Sequence, residues 1–230
     1  MKSWRYHFGV LALLLRFASS ATLVLAQQSG ERSVSPVQSA FEIFTSPDGV
    51  FQFKYSSLLL RCTEQRHEAN YPGLWVPDSC QAYTPVCDEP GIQDGATLVC
   101  VAYSKAKFKD YPTFNAATFS VAEVKRAVTE KECLSGSSDW GLGPGVRGKP
   151  VNINHVKFKL FEINDAGIGH SLNGHIYRTF HGNQCYQLSI RIASTSSHVF
   201  DRPVKELTQK DWSEVNGRMK QALDSFRFLK

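Results

Sequence analysis

Residues 181–193, HGNQCYQLSIRIA, indicate most clearly how the chain folds. Apolar side chains occupy every second position after Cys185, at Tyr186, Leu188, Ile190 and Ile192. Polar side chains mark the other face, at Gln187, Ser189 and Arg191. Since side chains alternate between the two faces of a strand, residues 185–193 are predicted to form a strand with one buried apolar face. Gly182-Asn183 is predicted to be the tight turn that joins this strand to the preceding one.

The neighbouring segments predict a sheet around this strand. Residues 156–163 and 171–181 also have strand composition, and with residues 185–193 they predict a three-stranded antiparallel meander. Residues 97–103 are a continuous apolar run, which is typical of an interior strand. Residues 50–55 alternate between apolar and polar side chains, as a half-buried strand does.

The C-terminal segment has the pattern of an amphipathic helix. Thr208 and Asp211 have the spacing of a capping box, which satisfies free backbone N–H groups in the first turn. Apolar residues then recur in steps of three and four, at Trp212, Val215, Met219, Ala222, Leu223 and Phe226. This stripe is predicted to be core. A second capping box, at Thr129 and Glu132, predicts a short helix that carries Cys133. The expected fold class is α+β, an antiparallel β-sheet with helices packed on it.

The N-terminus is predicted to direct export. Lys2 and Arg5 precede apolar stretches, and Val24-Leu25-Ala26 has suitable side chains for a cleavage site, so residues 1–26 are expected to be a signal peptide. Residues 27–40 are polar and are expected to be a flexible leader. Residues 41–230 are then a single domain. The protein is expected to be secreted or periplasmic, with no membrane span after signal removal.

The charge balance gives no sign of a nucleic-acid partner. The chain has 26 Lys+Arg and 21 Asp+Glu. The predicted signal peptide contains three of the basic residues and no acidic one, so the mature chain keeps 23 basic and 21 acidic residues. A nearly neutral surface without a Lys/Arg run lacks the electrostatic footprint of a nucleic-acid-binding protein.

An even number of cysteines behind a signal peptide predicts disulfides. All six lie in the predicted mature chain, at Cys62, Cys80, Cys87, Cys100, Cys133 and Cys185. Six cysteines can pair in many ways, but the spacing favours Cys80 with Cys87 across a short loop and Cys62 with Cys100 on neighbouring strands. Cys133 and Cys185 remain as the third pair. The paired C-x2-C knuckles of a zinc–thiolate site are absent from the sequence.

Few side chains are candidates for a functional site. His155, His170, His175 and His181 fall within 27 residues, and His170 with His175 could contribute to a metal site because imidazole is a common ligand. The alternative is a set of turn and rim histidines, since His155 follows Asn154 in a predicted turn and His181 begins another. Trp75 and Trp140 lie in two long predicted loops, residues 63–95 and 135–150, where aromatic side chains can anchor a partner. The alternative is that either side chain covers the core. No catalytic motif is present in the sequence, and no cofactor is expected.

An opening strand, a central sheet, a long hairpin and a closing helix follow one another along residues 41–229. The order begins with Ser46-Pro47-Asp48-Gly49-Val50-Phe51-Gln52-Phe53 and ends with Ser225-Phe226-Arg227-Phe228. It resembles the PsbP-like α/β/α sandwich, and more closely a set of uncharacterised secreted bacterial proteins with this six-cysteine pattern. The resemblance implies a binding or assembly module and supplies no catalytic residue. The cysteines and the proline-rich segment 63–95 depart from the photosynthetic members, so a photosystem role is not implied.

Three hypotheses about function follow. The first is an exported, non-enzymatic binding or accessory domain for an unknown protein or small ligand. The second is a periplasmic metal-binding protein that uses the histidine cluster. The third is a divergent secreted hydrolase, which would need a nucleophile–base pair that the sequence does not reveal.

Overall fold

The structure, a computed structural model, describes residues 40–62, 96–103, 105–125, 127–135 and 147–229. In chain order the strands are β1 (Phe41–Thr45), β2 (Phe51–Ser56), β3 (Leu59–Cys62), β4 (Ala96–Tyr103), β5 (Phe114–Glu123), β6 (Lys149–Ile153), β7 (Val156–Gly167), β8 (His170–His181), β9 (Gln184–Thr195) and β10 (Arg227–Phe228). The helices are α1 (Glu130–Leu134) and α2 (Gln209–Ser225), with 3₁₀ turns at Lys105–Phe108 and Ser197–Val199. The described residues belong to one compact unit, Gln38–Lys230.

Two antiparallel sheets organise the described residues. The larger has seven strands in the order β3-β4-β5-β9-β8-β7-β6, and the smaller has the order β1-β2-β10. The predicted meander is confirmed as β7, β8 and β9, which have 12 residues each. These strands extend beyond the predicted ends because polar residues near their tips continue the pairing, as Asn164 does with Asn173. The apolar run at 97–103 is confirmed as part of the interior strand β4.

Three two-residue turns join β6 to β7, β7 to β8 and β8 to β9. Both central residues of each turn have positive φ, at Asn154 and His155, Ile168 and Gly169, and Gly182 and Asn183. This backbone is that of the type I′ hairpin turn, and the predicted turn at Gly182-Asn183 is confirmed. Ile168 is unexpected there, with φ of 48°. A β-branched residue rarely adopts this conformation, because its Cβ crowds the backbone carbonyl.

The main hydrophobic core lies between the seven-stranded sheet and a layer formed by α2 and the smaller sheet. The predicted stripe of α2 is confirmed as core, with its buried members at Val215, Met219, Ala222 and Leu223. Trp212 is only partly buried. Phe226 lies one residue beyond α2, as its C-cap, and is nevertheless fully buried. The aromatic side chain therefore fills the core from the connection between α2 and β10.

Side-chain hydrogen bonds satisfy backbone groups at both ends of α2. The predicted capping box is confirmed: Thr208 Oγ1 accepts from the Asp211 backbone N–H at 3.2 Å, and Asp211 Oδ2 accepts from the Thr208 N–H at 2.9 Å. At the other end, Asn154 Nδ2 donates to the carbonyl oxygens of Asp224 at 2.7 Å and Phe226 at 2.8 Å. Carbonyls at a helix end have no partner within the helix, so Asn154 ties the β6–β7 turn to α2.

The polar face of the seven-stranded sheet is also buried. Gln187, Ser189 and Arg191 expose at most 2% of their surface. Arg178 Nε donates to Gln187 Oε1 at 2.8 Å, and Gln187 Nε2 donates to Ser189 Oγ at 3.5 Å. Buried polar groups are tolerated when they are hydrogen-bonded in this way. Alternation correctly separated the two faces, but it did not reveal that both are removed from solvent.

The disulfide expectation is confirmed for the pair that is fully described. Cys133 on α1 is bonded to Cys185 on β9, and both residues are buried. Cys100 is also disulfide-bonded, and Cys62 lies directly opposite it in the β3–β4 register. Cys80 and Cys87 lie outside the described residues. No described cysteine is free.

The α+β expectation is met in part. Antiparallel sheet dominates the described ranges, and α2 is their only long helix, since α1 has five residues. The capping box predicted for α1 is confirmed, with Thr129 and Glu132 as its two members. No helix in the described ranges has the length and apolarity to cross a membrane.

Candidate functional site

The structure separates the candidate residues that the sequence singled out. Trp75 and Trp140 lie outside the described residues. His170 and His175 both lie on β8, but they are five positions apart, so their side chains leave the sheet on opposite faces. The two imidazoles therefore do not meet at one ion. Within the described ranges, no group of three or more His, Cys, Asp or Glu side chains is placed to hold a metal ion.

His175 lies beside an exposed ion pair. It is opposite Glu162 in the β7–β8 register, and its ring centroid is 6.2 Å from that of Tyr177. Lys149 Nζ donates to Glu162 Oε1 at 2.9 Å, and this hydrogen bond holds the pKa of Glu162 below its usual range. Exposed ion pairs of this kind contribute little to stability. The surroundings of His175 thus resemble an ordinary solvated sheet surface.

His170 lines a cleft at the tip of the β7–β8 hairpin. This cleft is lined by residues 166–171 of the hairpin and by residues 194–196 at the end of β9. We call this site the hairpin cleft. Its volume is about 470 Å³. This volume falls within the range of about 300–1,000 Å³ that small-molecule sites commonly occupy, and the depression is open to solvent rather than enclosed.

A chain of three side chains orients His170 in the hairpin cleft. Asn115 Nδ2 donates to Thr195 Oγ1 at 2.9 Å, and Thr195 Oγ1 lies 2.9 Å from His170 Nδ1. Which of the two atoms donates in this contact depends on the histidine tautomer. In either tautomer the contact fixes the ring through Nδ1 and leaves Nε2 of the exposed imidazole available to a ligand.

The backbone explains why these three side chains meet. His170 is the first residue of β8 and pairs directly with Thr195, the last residue of β9. Asn115 lies where the β5–β9 register shifts between Phe114 and Ala116. Such irregularities re-aim a side chain that a regular strand would place elsewhere.

A second pair of hydroxyls lies on the adjacent rung of the β8–β9 ladder. Ser171 Oγ and Ser194 Oγ are 2.7 Å apart. Because adjacent residues point to opposite faces, this pair and the His170–Thr195 pair bring polar groups to both faces of the sheet end. The Ser196 N–H also donates to the Gly169 carbonyl at 2.7 Å, which joins the two segments that line the hairpin cleft.

Gly169 permits a close approach between the hairpin tip and the 3₁₀ turn after β9. A Cβ at this position would lie 2.1 Å from Val199 Cγ2, and the residue has φ of 76°. Both observations require glycine. Beside it, Ile168 is 98% exposed and Val199 is 48% exposed. The rim of the hairpin cleft is thus apolar, whereas its interior is polar.

A smaller pocket adjoins the hairpin cleft and shares residues 194–196 with it. We call this space, which has a volume of about 190 Å³, the side pocket. Thr113, His198, Glu206 and Trp212 contribute to its lining. The Trp212 indole is partly buried and lies 5.9 Å from the Phe114 ring centroid. The side pocket therefore combines an aromatic surface with polar groups.

Two charged side chains near the side pocket already have partners. Hydrogen bonds from the Thr208 hydroxyl and backbone hold the pKa of Asp211 below its usual range. Lys205 Nζ lies 4.3 Å from the Tyr111 ring centroid, and a hydrogen bond with Tyr111 raises the pKa of Lys205. These charges thus stabilise the local structure.

The hairpin cleft is better suited to hydrogen bonding than to nucleophilic catalysis. Thr195 and His170 are an alcohol and an imidazole within hydrogen-bond distance, as a nucleophile and its base would be. However, Thr195 is only 7% exposed, and its oxygen is engaged by both Asn115 and His170. No described carboxylate is hydrogen-bonded to His170. A substrate carbonyl would have little access to the Thr195 hydroxyl.

The sequence pointed to His170 but not to most of its partners. One signal for Thr195 was present, namely the polar run Ser194-Thr195-Ser196-Ser197-His198, which directly follows the alternating strand. Asn115 gave no signal, because its role depends on a register shift. Trp212 was assigned to the core as a member of the helical stripe, whereas it also lines the side pocket.

Comparison with models of known protein families finds no match to this chain, and comparison with curated protein sequences finds none either.

Proposed function

We propose that the chain is an exported, non-enzymatic binding or accessory domain whose ligand occupies the hairpin cleft. Export is supported by the signal-peptide pattern of residues 1–26 and by the Cys133–Cys185 disulfide, which is typical of oxidising compartments. A PsbP-like architecture remains part of this proposal. It is supported by the opening strand β2, which pairs with β10 directly after the closing helix.

The observation that carries the proposal is the oriented imidazole in a ligand-sized cleft. The Asn115–Thr195–His170 chain holds the ring of an exposed side chain, and Nε2 is left available to a ligand. A concave site with a few oriented polar groups is the usual form of a small-ligand site. Stored strain gives further support, because Ile168 adopts positive φ at the rim while its side chain remains exposed.

The experiment compares ligand binding by the disulfide-bonded chain beginning at residue 27 and by variants of the cleft. A library of small polar fragments is screened by ligand-observed NMR, and hits are measured again with His170→Ala and Thr195→Val. His175→Ala is the matched control, because it removes an exposed histidine of the same strand that does not line the hairpin cleft. We expect hits that bind about two- to tenfold more weakly to either cleft variant, since a hydrogen bond contributes about 0.5–1.5 kcal/mol.

Two results would contradict the proposal. The absence of any fragment that distinguishes His170→Ala from His175→Ala would show that the hairpin cleft does not bind small ligands. Hydrolysis of ester or peptide substrates that is lost in Thr195→Val would instead favour the hydrolase hypothesis, because the His170–Thr195 pair would then be a nucleophile and its base.

A further inference from the structure

This inference rests on the proposed binding function and concerns the chemical class of the ligand. We infer that the hairpin cleft and the side pocket bind a neutral, hydroxyl-rich molecule, namely a segment of an uncharged oligosaccharide. Three properties of the described lining lead to this class: its charge, its hydrogen-bonding capacity and its exposed apolar surfaces.

The charge of the lining disfavours an ionic ligand. The described side chains of the hairpin cleft are hydroxyl, imidazole or apolar, and none is Lys, Arg, Asp or Glu. Phosphate and carboxylate ligands are usually held by Arg or Lys. The side pocket adds Glu206, which would repel an anion. A purely apolar ligand is also disfavoured, because it would cover the serine and threonine hydroxyls without replacing their hydrogen bonds to water.

The hydrogen-bonding groups match those of a sugar. In the Ser171–Ser194 pair one hydroxyl donates to the other, which leaves one O–H donor and free lone pairs for a ligand. His170 adds an imidazole nitrogen on the neighbouring rung, at the opposite face of the same sheet end. A sugar hydroxyl donates and accepts at the same time, so it can satisfy such a mixture of donors and acceptors. A ligand with carbonyl groups alone would leave the serine lone pairs unpaired.

The apolar surfaces correspond to the other half of a sugar ring. A pyranose carries C–H groups on its faces and hydroxyls around its edge. Ile168 and Val199 are exposed at the rim of the hairpin cleft, and Trp212 lines the side pocket. Aromatic and aliphatic side chains bury C–H surface without competing for the hydroxyls. The strained conformation of Ile168 is consistent with an apolar contact at the rim, where asparagine or glycine would be easier to accommodate.

The shared wall indicates that the ligand has more than one ring. Residues 194–196 border both the space of about 470 Å³ and the space of about 190 Å³. One ring in each space would contact the same strand end from both sides. We therefore expect affinity to increase from a monosaccharide to a trisaccharide.

The experiment measures three panels of defined probes by ligand-observed NMR and calorimetry on the chain that begins at residue 27. The neutral panel contains cellotriose, maltotriose and N-acetylchitotriose with their monosaccharides, the anionic panel contains trigalacturonate, and the peptide panel contains uncharged capped tripeptides. We expect binding from the neutral panel only. Affinity should fall about two- to tenfold in His170→Ala, which loses one hydrogen bond, and should be unchanged in His175→Ala.

Ile168→Asn is the second cleft variant. Asparagine tolerates positive φ better than isoleucine, so this variant should fold at least as well as the parent while it loses the apolar contact. We expect weaker binding of the neutral trisaccharide together with an unchanged or higher melting temperature. Equal binding by Ile168→Asn and the parent chain would overturn the role assigned to the apolar rim.

A wrong ligand class and a wrong binding function give different experimental results. If trigalacturonate or the peptides bind and lose affinity in His170→Ala while neutral sugars do not bind, the ligand class is wrong and the binding function stands. If no probe in any panel, and no fragment in the wider library, distinguishes His170→Ala from His175→Ala, the binding function fails as well. Binding of neutral sugars that both histidine variants retain in full would place the sugar site elsewhere and would overturn this inference.

Discussion

Replacement of Phe226 by alanine should be among the most destabilising single changes in the core. The side chain is fully buried, and its ring centroid lies 5.5 Å from that of Phe51, 6.2 Å from that of Phe158 and 5.2 Å from that of Phe228. Because these partners come from both sheets, the ring joins the two halves of the core. Its loss would leave a cavity that the surrounding strands cannot easily fill.

The magnitude follows from the buried area. A phenylalanine buries roughly 150–200 Å², and at about 25 cal/mol per Å² the transfer term is about 4–5 kcal/mol. Measured Phe→Ala substitutions in cores cost about 3–5 kcal/mol. We therefore expect the free energy of unfolding to fall by about 4 kcal/mol. This is a large part of the roughly 5–15 kcal/mol that stabilises a typical domain.

Equilibrium unfolding in urea, with the disulfides intact, measures this loss. With a slope of about 2 kcal/mol per M, the midpoint should fall by about 2 M. Phe41→Ala is the matched control, because Phe41 is 49% exposed and the same atoms are removed. A loss below about 1 kcal/mol for Phe226→Ala, or a loss no larger than that of the control, would show that the ring does not join the two halves of the core.

Three further predictions concern other parts of the structure. Replacement of Cys133 and Cys185 by serine opens a loop with a sequence separation of 52. The chain-entropy relation gives a fall of about 4 kcal/mol in the free energy of unfolding. An unchanged melting temperature would contradict this prediction. Asn154→Ala removes two hydrogen bonds to the end of α2 and should cost about 1–3 kcal/mol, with Asn154→Gly as a control that keeps the positive φ. Burial raises the pKa of Tyr55 to about 12, with a further contribution from its hydrogen bond to Glu42, and burial also raises the pKa of Tyr103 to about 12. In the unfolded chain these phenols ionise near their ordinary pKa of 10.0, so stability is retained below that pH and falls as the pH rises toward 12. Phenolate absorbance and urea melts across this range test the effect, and ionisation of both tyrosines near pH 10 in the folded protein would disprove it.

Local patterns were sufficient to predict several of the elements. Alternation identified β9, a capping box and a stripe identified α2, and Gly182-Asn183 identified a tight turn. These signals depend on side chains two to four residues apart, and such distances are set by strand and helix geometry alone. The Cys133–Cys185 pairing was also predicted, because the other cysteines had nearer partners.

The candidate site depended on contacts that no local pattern encodes. Asn115 and Thr195 are separated by 80 positions in the chain, and a register shift in β5 brings them together. Alternation also could not show that the face of Arg191 is buried, because exposure of a strand face depends on what lies against it. In contrast, the opposite faces of His170 and His175 follow from their odd separation once both residues are known to lie on β8.

Local sequence patterns therefore predicted strands β2, β4, β7, β8 and β9, the caps of both helices and the Gly182-Asn183 turn, since each is stabilised mainly by groups that are close in the chain. Which strand ends meet depends on the tertiary structure, and with it the hairpin cleft and the side pocket. The pairing of β8 with β9 places His170 beside Thr195. The packing of α2 brings Trp212 to residues 194–196. These contacts arise from the burial of a common core, which is a property of the whole chain.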